Sequence, residues 1–128
     1  MKIKLNLKPT YKITPVFSTE GRGKKKQDIF RYIDYRFELN RAIAVKGVVS
    51  KKDIEETIPF LESMNIDFYD HLIGVIINEM IIQVNDLYET KMTHVDFKDF
   101  INEHQDLFNT FANELKNIIN EHGYETGR

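Results

Sequence analysis

The chain has 128 residues, of which 41% are hydrophobic, 12% aromatic and 30% charged. This composition can bury a hydrophobic core without cross-links and argues against a disordered chain. The absence of cysteine excludes disulfide bonds, thiolate metal sites and a cysteine nucleophile, and it fits a reducing, cytoplasmic setting. The longest apolar run, at 72–77, covers six residues, whereas a membrane span needs roughly 20. We therefore expect a soluble protein without a signal peptide.

The net charge of −2 hides a strong asymmetry along the chain. Residues 1–52 contain fourteen basic and four acidic residues, which gives +10, and residues 53–128 contain four basic and sixteen acidic residues, which gives −12. Such a split is typical of a nucleic-acid-binding half joined to a second unit. The alternative is that the two halves attract each other, or that the basic surface has no partner.

The first part of the basic half contains patterns of strands and loops. Residues 2–8 alternate apolar with basic or polar side chains, which predicts a half-buried strand. Residues 11–13 can extend only an edge strand, because Pro15 cannot lie centrally in a sheet. The segment 18–27 contains glycines and basic residues without a periodic apolar face, so it predicts a loop.

The clearest pattern lies at 33–40, where every second side chain is apolar. A helix would scatter these apolar residues around its circumference, so the pattern predicts a strand. Asn40 and Arg41 then make a tight connection into a second strand within 42–49, and the two strands form a hairpin. The basic half is therefore expected to form an antiparallel sheet of three or four strands.

The acidic half contains helical patterns. Ser50 can cap a helix that Pro59 shortens, kinks or forces to restart. Residues 67–88 predict the longest helix, whose wide apolar surface is typical of a bundle or a dimer contact. Residues 106–120 predict the last helix, which Gly123 caps. The expected fold is α+β, with a small N-terminal antiparallel sheet followed by a bundle of three to four helices.

No pattern in the chain indicates an active site. The acidic residues and histidines near His71 and His94 lack metal-ligand spacing. The Glu55 and Glu56 pair suits the first turn of a helix better than acid–base catalysis. No phosphate-binding loop and no nucleophile elbow is present. We therefore expect neither enzyme activity nor a metal or cofactor.

The basic half provides candidate contacts to double-stranded DNA. A β-ribbon with basic side chains on one face fits the major groove. Lysines there contact phosphates, whereas Arg36 can pair with guanine and Asn40 with adenine. The alternative is a solvated edge whose lysines prevent aggregation. The candidate residues are Lys2, Lys4, Lys24, Lys25, Lys26, Arg36, Asn40, Arg41 and Lys46.

The order of these segments resembles the N-terminal region of tyrosine recombinases from phages and conjugative transposons. The resemblance is carried by the basic strand at 1–8, the hairpin strands at 35–41 and 47–49, the helix entry at 50–53 and the helix at 108–115. It implies a three-stranded arm-type DNA-binding domain followed by the start of a SAM-like core-binding domain. The catalytic domain of that family is absent, so the resemblance implies a non-catalytic module that acts in the integration and recombination of mobile DNA.

A second interpretation is a protein-interaction module of a phage or mobile element, such as a tail assembly chaperone or an inhibitor of a host enzyme. The exposed parts of the 67–88 helix and of the last helix would then bind a partner or a second copy. The two interpretations predict different sensitive residues. DNA binding requires Arg36 and the lysines at 24–26, whereas protein interaction requires the helices.

Overall fold

The structure is a computed structural model that describes residues 8–21 and 23–123, with Lys25 described by its backbone alone. Three strands precede four helices, which confirms the expected α+β architecture. The elements are β1 (Thr10–Glu20), β2 (Gln27–Glu38), β3 (Ala44–Ser50), α1 (Ile58–Ser63), α2 (Phe68–Tyr88), α3 (Lys98–Glu103) and α4 (Gln105–Ile118). A 3-10 turn at Gly23–Lys25 and π-helical turns at Asp53–Thr57 and Ile119–Gly123 complete the described part. None of the described helices is long and apolar enough to cross a membrane.

The strands form one antiparallel sheet in the order β1-β2-β3, so β2 is central. Ile33, Tyr35 and Phe37 of β2 are buried, and the residues between them are exposed. The period of two at 33–40 therefore separates a core face from a solvent face, as predicted. The hairpin of β2 and β3 is also confirmed, but its connection spans residues 39–43 and is not a tight turn.

Strand β1 is longer than the sequence pattern predicted. The predicted loop over 18–27 is wrong at both ends, because β1 continues to Glu20 and β2 begins at Gln27. The register shifts by one residue between Val16 and Phe17, because Val16 pairs with Tyr32 and Phe17 with Phe30, which leaves Arg31 of β2 as the bulged residue. Pro15 is tolerated because β1 is an edge strand and the proline nitrogen can face the free edge.

Ser50 begins the helical half as predicted. Its Oγ accepts a hydrogen bond from the Asp53 backbone N–H at 3.0 Å, and Asp53 Oδ2 accepts one from the Ser50 N–H at 2.9 Å. The two residues thus cap the helix reciprocally. The π-helical turn at Asp53–Thr57 follows, and α1 restarts with Pro59 in its first turn. Proline is accepted there because its missing N–H would have no partner within α1.

The core lies between the sheet and the helices and draws side chains from both. Phe37 of β2 packs at its centre, with its ring centroid 4.6 Å from that of Phe111 and 5.8 Å from that of Phe108. The broad burial predicted for 67–88 is confirmed only in part. Six side chains of α2 are buried, but Val75 and Ile82 are 51% and 52% exposed.

The last helix ends differently from the prediction. Gly123 lies in the π-helical turn Ile119–Gly123 and is not among the described glycines with positive φ, so the predicted left-handed cap is wrong. A Cβ atom at this position would lie 3.1 Å from Ile54 Cδ1 and 3.2 Å from Ile119 Cγ2. The glycine therefore allows the last turn to pack closely against Ile54.

We predict that Gly47→Ala lowers the free energy of unfolding by about 1–3 kcal/mol. Tyr35 pairs with Gly47 across β2 and β3, and a Cβ atom at Gly47 would overlap the Tyr35 ring and hydroxyl. Gly74→Ala is the matched control, because a Cβ atom there meets no atom within 4 Å and alanine favours a helix by about 1 kcal/mol. Urea unfolding measures both, and a Gly47→Ala protein as stable as the parent would contradict this packing.

We also predict an alkaline loss of stability that depends on Tyr11. Its hydroxyl donates to Glu114 Oε2 at 2.5 Å, which joins β1 to α4. Burial, this hydrogen bond and the Glu114 charge raise the pKa of Tyr11 from 10.0 to about 12. The folded state therefore holds this proton more tightly than the unfolded chain, so the stabilisation is complete below pH 10.0 and declines as the pH approaches about 12. Urea unfolding against pH should show a smaller decline for Tyr11→Phe, and equal declines would refute the assignment.

Candidate nucleic-acid interface

Three basic side chains form a row across the solvent face of the sheet. The register pairs Lys12 of β1 with Arg36 of β2, and Arg36 with Lys46 of β3. All three residues are exposed. Neighbouring strands lie about 4.8 Å apart, so the row is roughly 10 Å wide at its Cα atoms. This width is close to the roughly 12 Å of the major groove of B-DNA. We call these three residues the cation row.

The cation row crosses a shallow depression of about 550 Å³ in the solvent face. Thr14, Asp34 and Val48 line the depression together with the cation row and with parts of Tyr35 and Gly47. The depression is open to solvent and does not enclose a small molecule, because it lies on the exposed side of a single sheet. Its shape therefore suits the surface of a macromolecule better than an isolated small ligand.

Two acidic residues share the solvent face with the cation row. Glu38 Oε1 lies 2.6 Å from Arg36 Nε, and Asp34 lies in the next exposed position of β2. The Glu38 contact is made through Nε, so the terminal nitrogens of Arg36 keep hydrogen-bonding capacity for a ligand. Lys12 and Lys46 form no ion pair within the described part of the chain. The two lysines are therefore the cations most available to a bound polyanion.

The lysines at 24–26 lie away from the cation row. Lys24 and Lys26 are exposed at the turn between β1 and β2. Gln27 begins β2 and Arg36 lies nine residues further along it, which is roughly 30 Å at about 3.3 Å per residue. Arg41 is exposed beyond the other end of β2, in the loop at 39–43. The candidate residues therefore spread along the sheet and do not form one cluster.

Arg31 stiffens the hairpin that presents these lysines. Its Nε donates to Ser18 Oγ at 2.6 Å, and its Nη2 donates to Glu20 Oε1 at 2.5 Å. Both partners belong to β1, so the guanidinium joins the two strands beside the bulge. Arg31 lies five residues before Arg36 on β2 and therefore outside the cation row, and its guanidinium is used within the hairpin.

The Asn40 side chain stabilises the loop between β2 and β3. Its Oδ1 accepts hydrogen bonds from the N–H groups of Ala42 and Ile43 at 2.8 and 2.9 Å. Its Nδ2 donates to the hydroxyl of Tyr88 at the end of α2, at 3.3 Å. In this arrangement the carboxamide shapes the loop and does not present a free edge for pairing with adenine.

Lys12 belongs to the cation row although it was not among the candidate residues predicted from the sequence. Lys2 and Lys4 lie outside the described residues, as does nearly all of the predicted strand over 2–8. Lys12 lies between two prolines, which weakened the strand signal around it. The signal that could have found it is the alternation of Tyr11, Lys12 and Ile13, once this segment is paired with the exposed positions of the 33–40 strand.

The two halves of the charge distribution occupy different layers. The helices pack on the core face of the sheet, opposite the cation row. Their exposed acidic residues include Glu55, Glu56, Glu62, Glu79 and Asp86. The molecule therefore has a basic sheet side and an acidic helical side. This arrangement favours approach of a polyanion from the sheet side.

Residues 8–21 and 23–123 contain no group of three histidine, aspartate or glutamate residues that could hold a metal ion. The chain matches no known protein family, no curated protein and no solved structure. The solvent face of the sheet and its charges are therefore the features that indicate a function.

We predict that Asn40→Ala lowers the free energy of unfolding by about 1–2 kcal/mol, because two loop N–H groups lose their acceptor. Asn40→Asp is the matched control, since its carboxylate can still accept both hydrogen bonds. Urea unfolding of both variants measures the effect. If Asn40→Ala were as stable as the parent, the loop would not depend on this side chain, and its carboxamide would be free for another role.

Proposed function

We propose that this protein is a non-catalytic module that binds double-stranded DNA through the solvent face of its sheet. The observation that carries the proposal is the cation row, in which Lys12, Arg36 and Lys46 lie in register on three neighbouring strands. A β-sheet can enter the major groove, and basic side chains on its outer face then reach phosphates and base edges. The acidic helices would remain outside, facing away from the duplex.

The residues of the cation row would have different tasks in such a complex. Lys12 and Lys46 lie on the outer strands, where a sheet in the groove approaches the two phosphate backbones. Arg36 lies on the central strand, which approaches the base edges, and its terminal nitrogens can pair with guanine O6 and N7. The contact between Glu38 and Arg36 Nε would hold the guanidinium in place, which lowers the entropic cost of binding.

The lysines at the turn between β1 and β2 would extend the contact along the duplex. Lys24 and Lys26 lie roughly 30 Å from Arg36 along β2, and one helical turn of B-DNA measures about 34–36 Å. Contacts at the turn and at the cation row would thus fall about one helical turn apart. Lysine suits this position because it reaches phosphate as a point charge and carries no sequence information.

We further propose that the module acts in the integration and recombination of mobile DNA. The support is the resemblance of the sequence to the N-terminal region of tyrosine recombinases, together with the order of a three-stranded sheet followed by helices. The cutting and joining of DNA would then belong to a catalytic domain outside the described residues or on another protein. The DNA sequence that the module binds, and not a cofactor, would determine the site of recombination.

A second candidate function is that of a protein-interaction module. The observation that favours it is the exposure of Phe60 and Met64 on the helical side, at 61% and 54%. These residues lie four positions apart around the end of α1, so they share one face. A protein partner would be expected to cover this face, and its binding would then not depend on the cation row.

We predict a steep salt dependence of DNA binding that the cation row sets in part. Fluorescence anisotropy of a labelled random duplex, repeated across salt concentrations, gives the slope of log affinity against log salt. Each lost phosphate contact reduces the slope by about 0.9. The double variant Lys12→Gln, Lys46→Gln should therefore bind more weakly than the parent, with a slope shallower by roughly two.

The matched control is the double variant Lys91→Gln, Lys98→Gln, which removes the same charge from two exposed lysines outside the sheet. Its slope and affinity should equal those of the parent. If the control weakened binding as much as the Lys12 and Lys46 variant, net charge and not the cation row would be responsible. Absence of binding by the parent at low salt would reject the DNA proposal and favour the protein-interaction module.

A further inference from the structure

The outer edge of β3 is open over a short, defined stretch. At one end, the Gln83 side chain of α2 pairs with the backbone of Ala44, where Oε1 accepts from N–H at 3.2 Å and Nε2 donates to C=O at 2.9 Å. At the other end, Ser50 N–H donates to Asp53 Oδ2. Backbone groups alternate between the two sides of a strand. Lys46 and Val48 therefore face the same free edge as Ala44, and no hydrogen bond of the described residues covers that edge between the two ends.

The opposite edge of the sheet is protected. Pro15 of β1 cannot donate a backbone hydrogen bond, which interrupts any ladder that a further strand could form along this edge. The Tyr11 hydroxyl also joins β1 to Glu114 of α4. β3 has no proline and no bulge within its seven residues. A strand from another chain would therefore add to β3 and not to β1.

An apolar stripe of α2 lies beside this edge. Gln83 marks the side of α2 that reaches β3. On a helix of 3.6 residues per turn, Val75 and Ile82 lie next to that side and away from the buried residues, with the charged Glu79 between them and Gln83. Val75 and Ile82 are about half exposed, and they share one face because they are seven positions apart. The open edge and the exposed stripe thus occupy the same side of the molecule.

We propose that a second copy of this chain binds this side, with β3 pairing antiparallel to β3 about a twofold axis through Gly47. In this register Lys46 of each copy lies opposite Val48 of the other, and four backbone hydrogen bonds form. The two lysines do not face each other, and each can lay its aliphatic stem over an exposed valine. The surface is therefore complementary to itself, which a twofold interface requires.

The same axis brings the two α2 helices together. Tyr88 reaches Asn40 and Gln83 reaches Ala44, so α2 runs antiparallel to β3. Gly47 lies three residues beyond Ala44, about 10 Å along the strand, which corresponds to roughly seven residues of helix. The axis therefore passes near Val75. A short strand pairing is marginal by itself, so the interface needs both β3 and the α2 stripe.

This inference is independent of DNA binding, but it would change how DNA is bound. The two sheets would join into one sheet of six strands, in which β3 becomes an inner strand. At about 4.8 Å per strand the joined sheet is roughly twice as wide as the major groove, so its two cation rows would contact the duplex from outside a single groove. A DNA site with matching twofold symmetry would then be favoured over an asymmetric one. Monomers that bind DNA separately would show no such preference.

Sedimentation velocity over a range of protein concentrations tests the proposal without DNA. The parent should pass from the mass of one chain to that of two as concentration rises. Val48→Pro removes an N–H from the free edge and leaves the ladder with β2 intact, so the dissociation constant should rise about tenfold or more. Ile82→Glu places a charge in the α2 stripe, and a similar or larger rise is expected.

Two matched controls should keep the dissociation constant of the parent. Val48→Thr retains both the N–H and the branched side chain, and Val95→Glu adds the same charge at a residue that is 80% exposed outside this surface. Circular dichroism verifies that each variant is folded. A parent that has the mass of one chain at every concentration would overturn the proposal. So would a dimer whose dissociation constant is unchanged by either Val48→Pro or Ile82→Glu.

Discussion

The register of the central strand β2 determines both the core and the exposed face of this protein. Phe37 packs against Phe108 and Phe111 of α4, and this contact fixes which side chains of β2 point inward. Because side chains alternate along a strand, Arg36 must then point to solvent, and its neighbours in register are Lys12 and Lys46. A slip of one residue would bury the arginine and expose the phenylalanine, which the packing energy of the core forbids. The position of the cation row is thus a consequence of the aromatic core.

The charge asymmetry of the sequence corresponds to two layers of the structure, a basic sheet and an acidic layer of helices. It does not reflect charges that pair with each other across the two layers. Among the described residues, the ion pairs of the sheet join Arg31 to Glu20 and Arg36 to Glu38, so each lies within the basic half. No ion pair of the described residues joins a sheet cation to an acidic residue of a helix. The halves are held together by apolar packing. This weakens the view that the basic half exists to attract the acidic half, and the exposed cations remain available to a polyanion.

The sequence predicted the elements that have a strong period and missed those whose signal is interrupted. The alternation at 33–40 and the reciprocal cap of Ser50 were sufficient because local pattern and tertiary structure agree there. β1 was underestimated because Pro15, which is acceptable on an edge strand, resembles the signal of a loop. The predicted cap at Gly123 was wrong because the glycine is needed for contact with Ile54, and no local pattern indicates a contact over such a sequence distance.

The sequence predicted which types of residue form the candidate site, but not how the sheet arranges them. Arg36 could be assigned to an exposed strand position from alternation alone, and Lys46 was placed after the hairpin turn. The inclusion of Lys12 depends on the pairing of β1 with β2, a long-range property. Asn40 was chosen for its chemistry as a side chain that can pair with adenine. The loop at 39–43 has backbone N–H groups that need an acceptor, and the same carboxamide provides it. A side chain that completes a turn is favoured at such a position for reasons that a motif does not reveal.

The open edge of β3 is important for the proposed function, because pairing along it would supply a second cation row. Each copy presents a single cation row, beside which Asp34 and Glu38 lie, so a second row would add to the attraction for a polyanion. Pairing of two copies along β3 would place two cation rows on one rigid sheet. The second row would then bind at high effective concentration once the first is engaged, which raises affinity without any new contact. The open edge of β3 lies between the Gln83 and Asp53 contacts, and the other edge of each sheet is interrupted by Pro15, so such growth would stop at two copies.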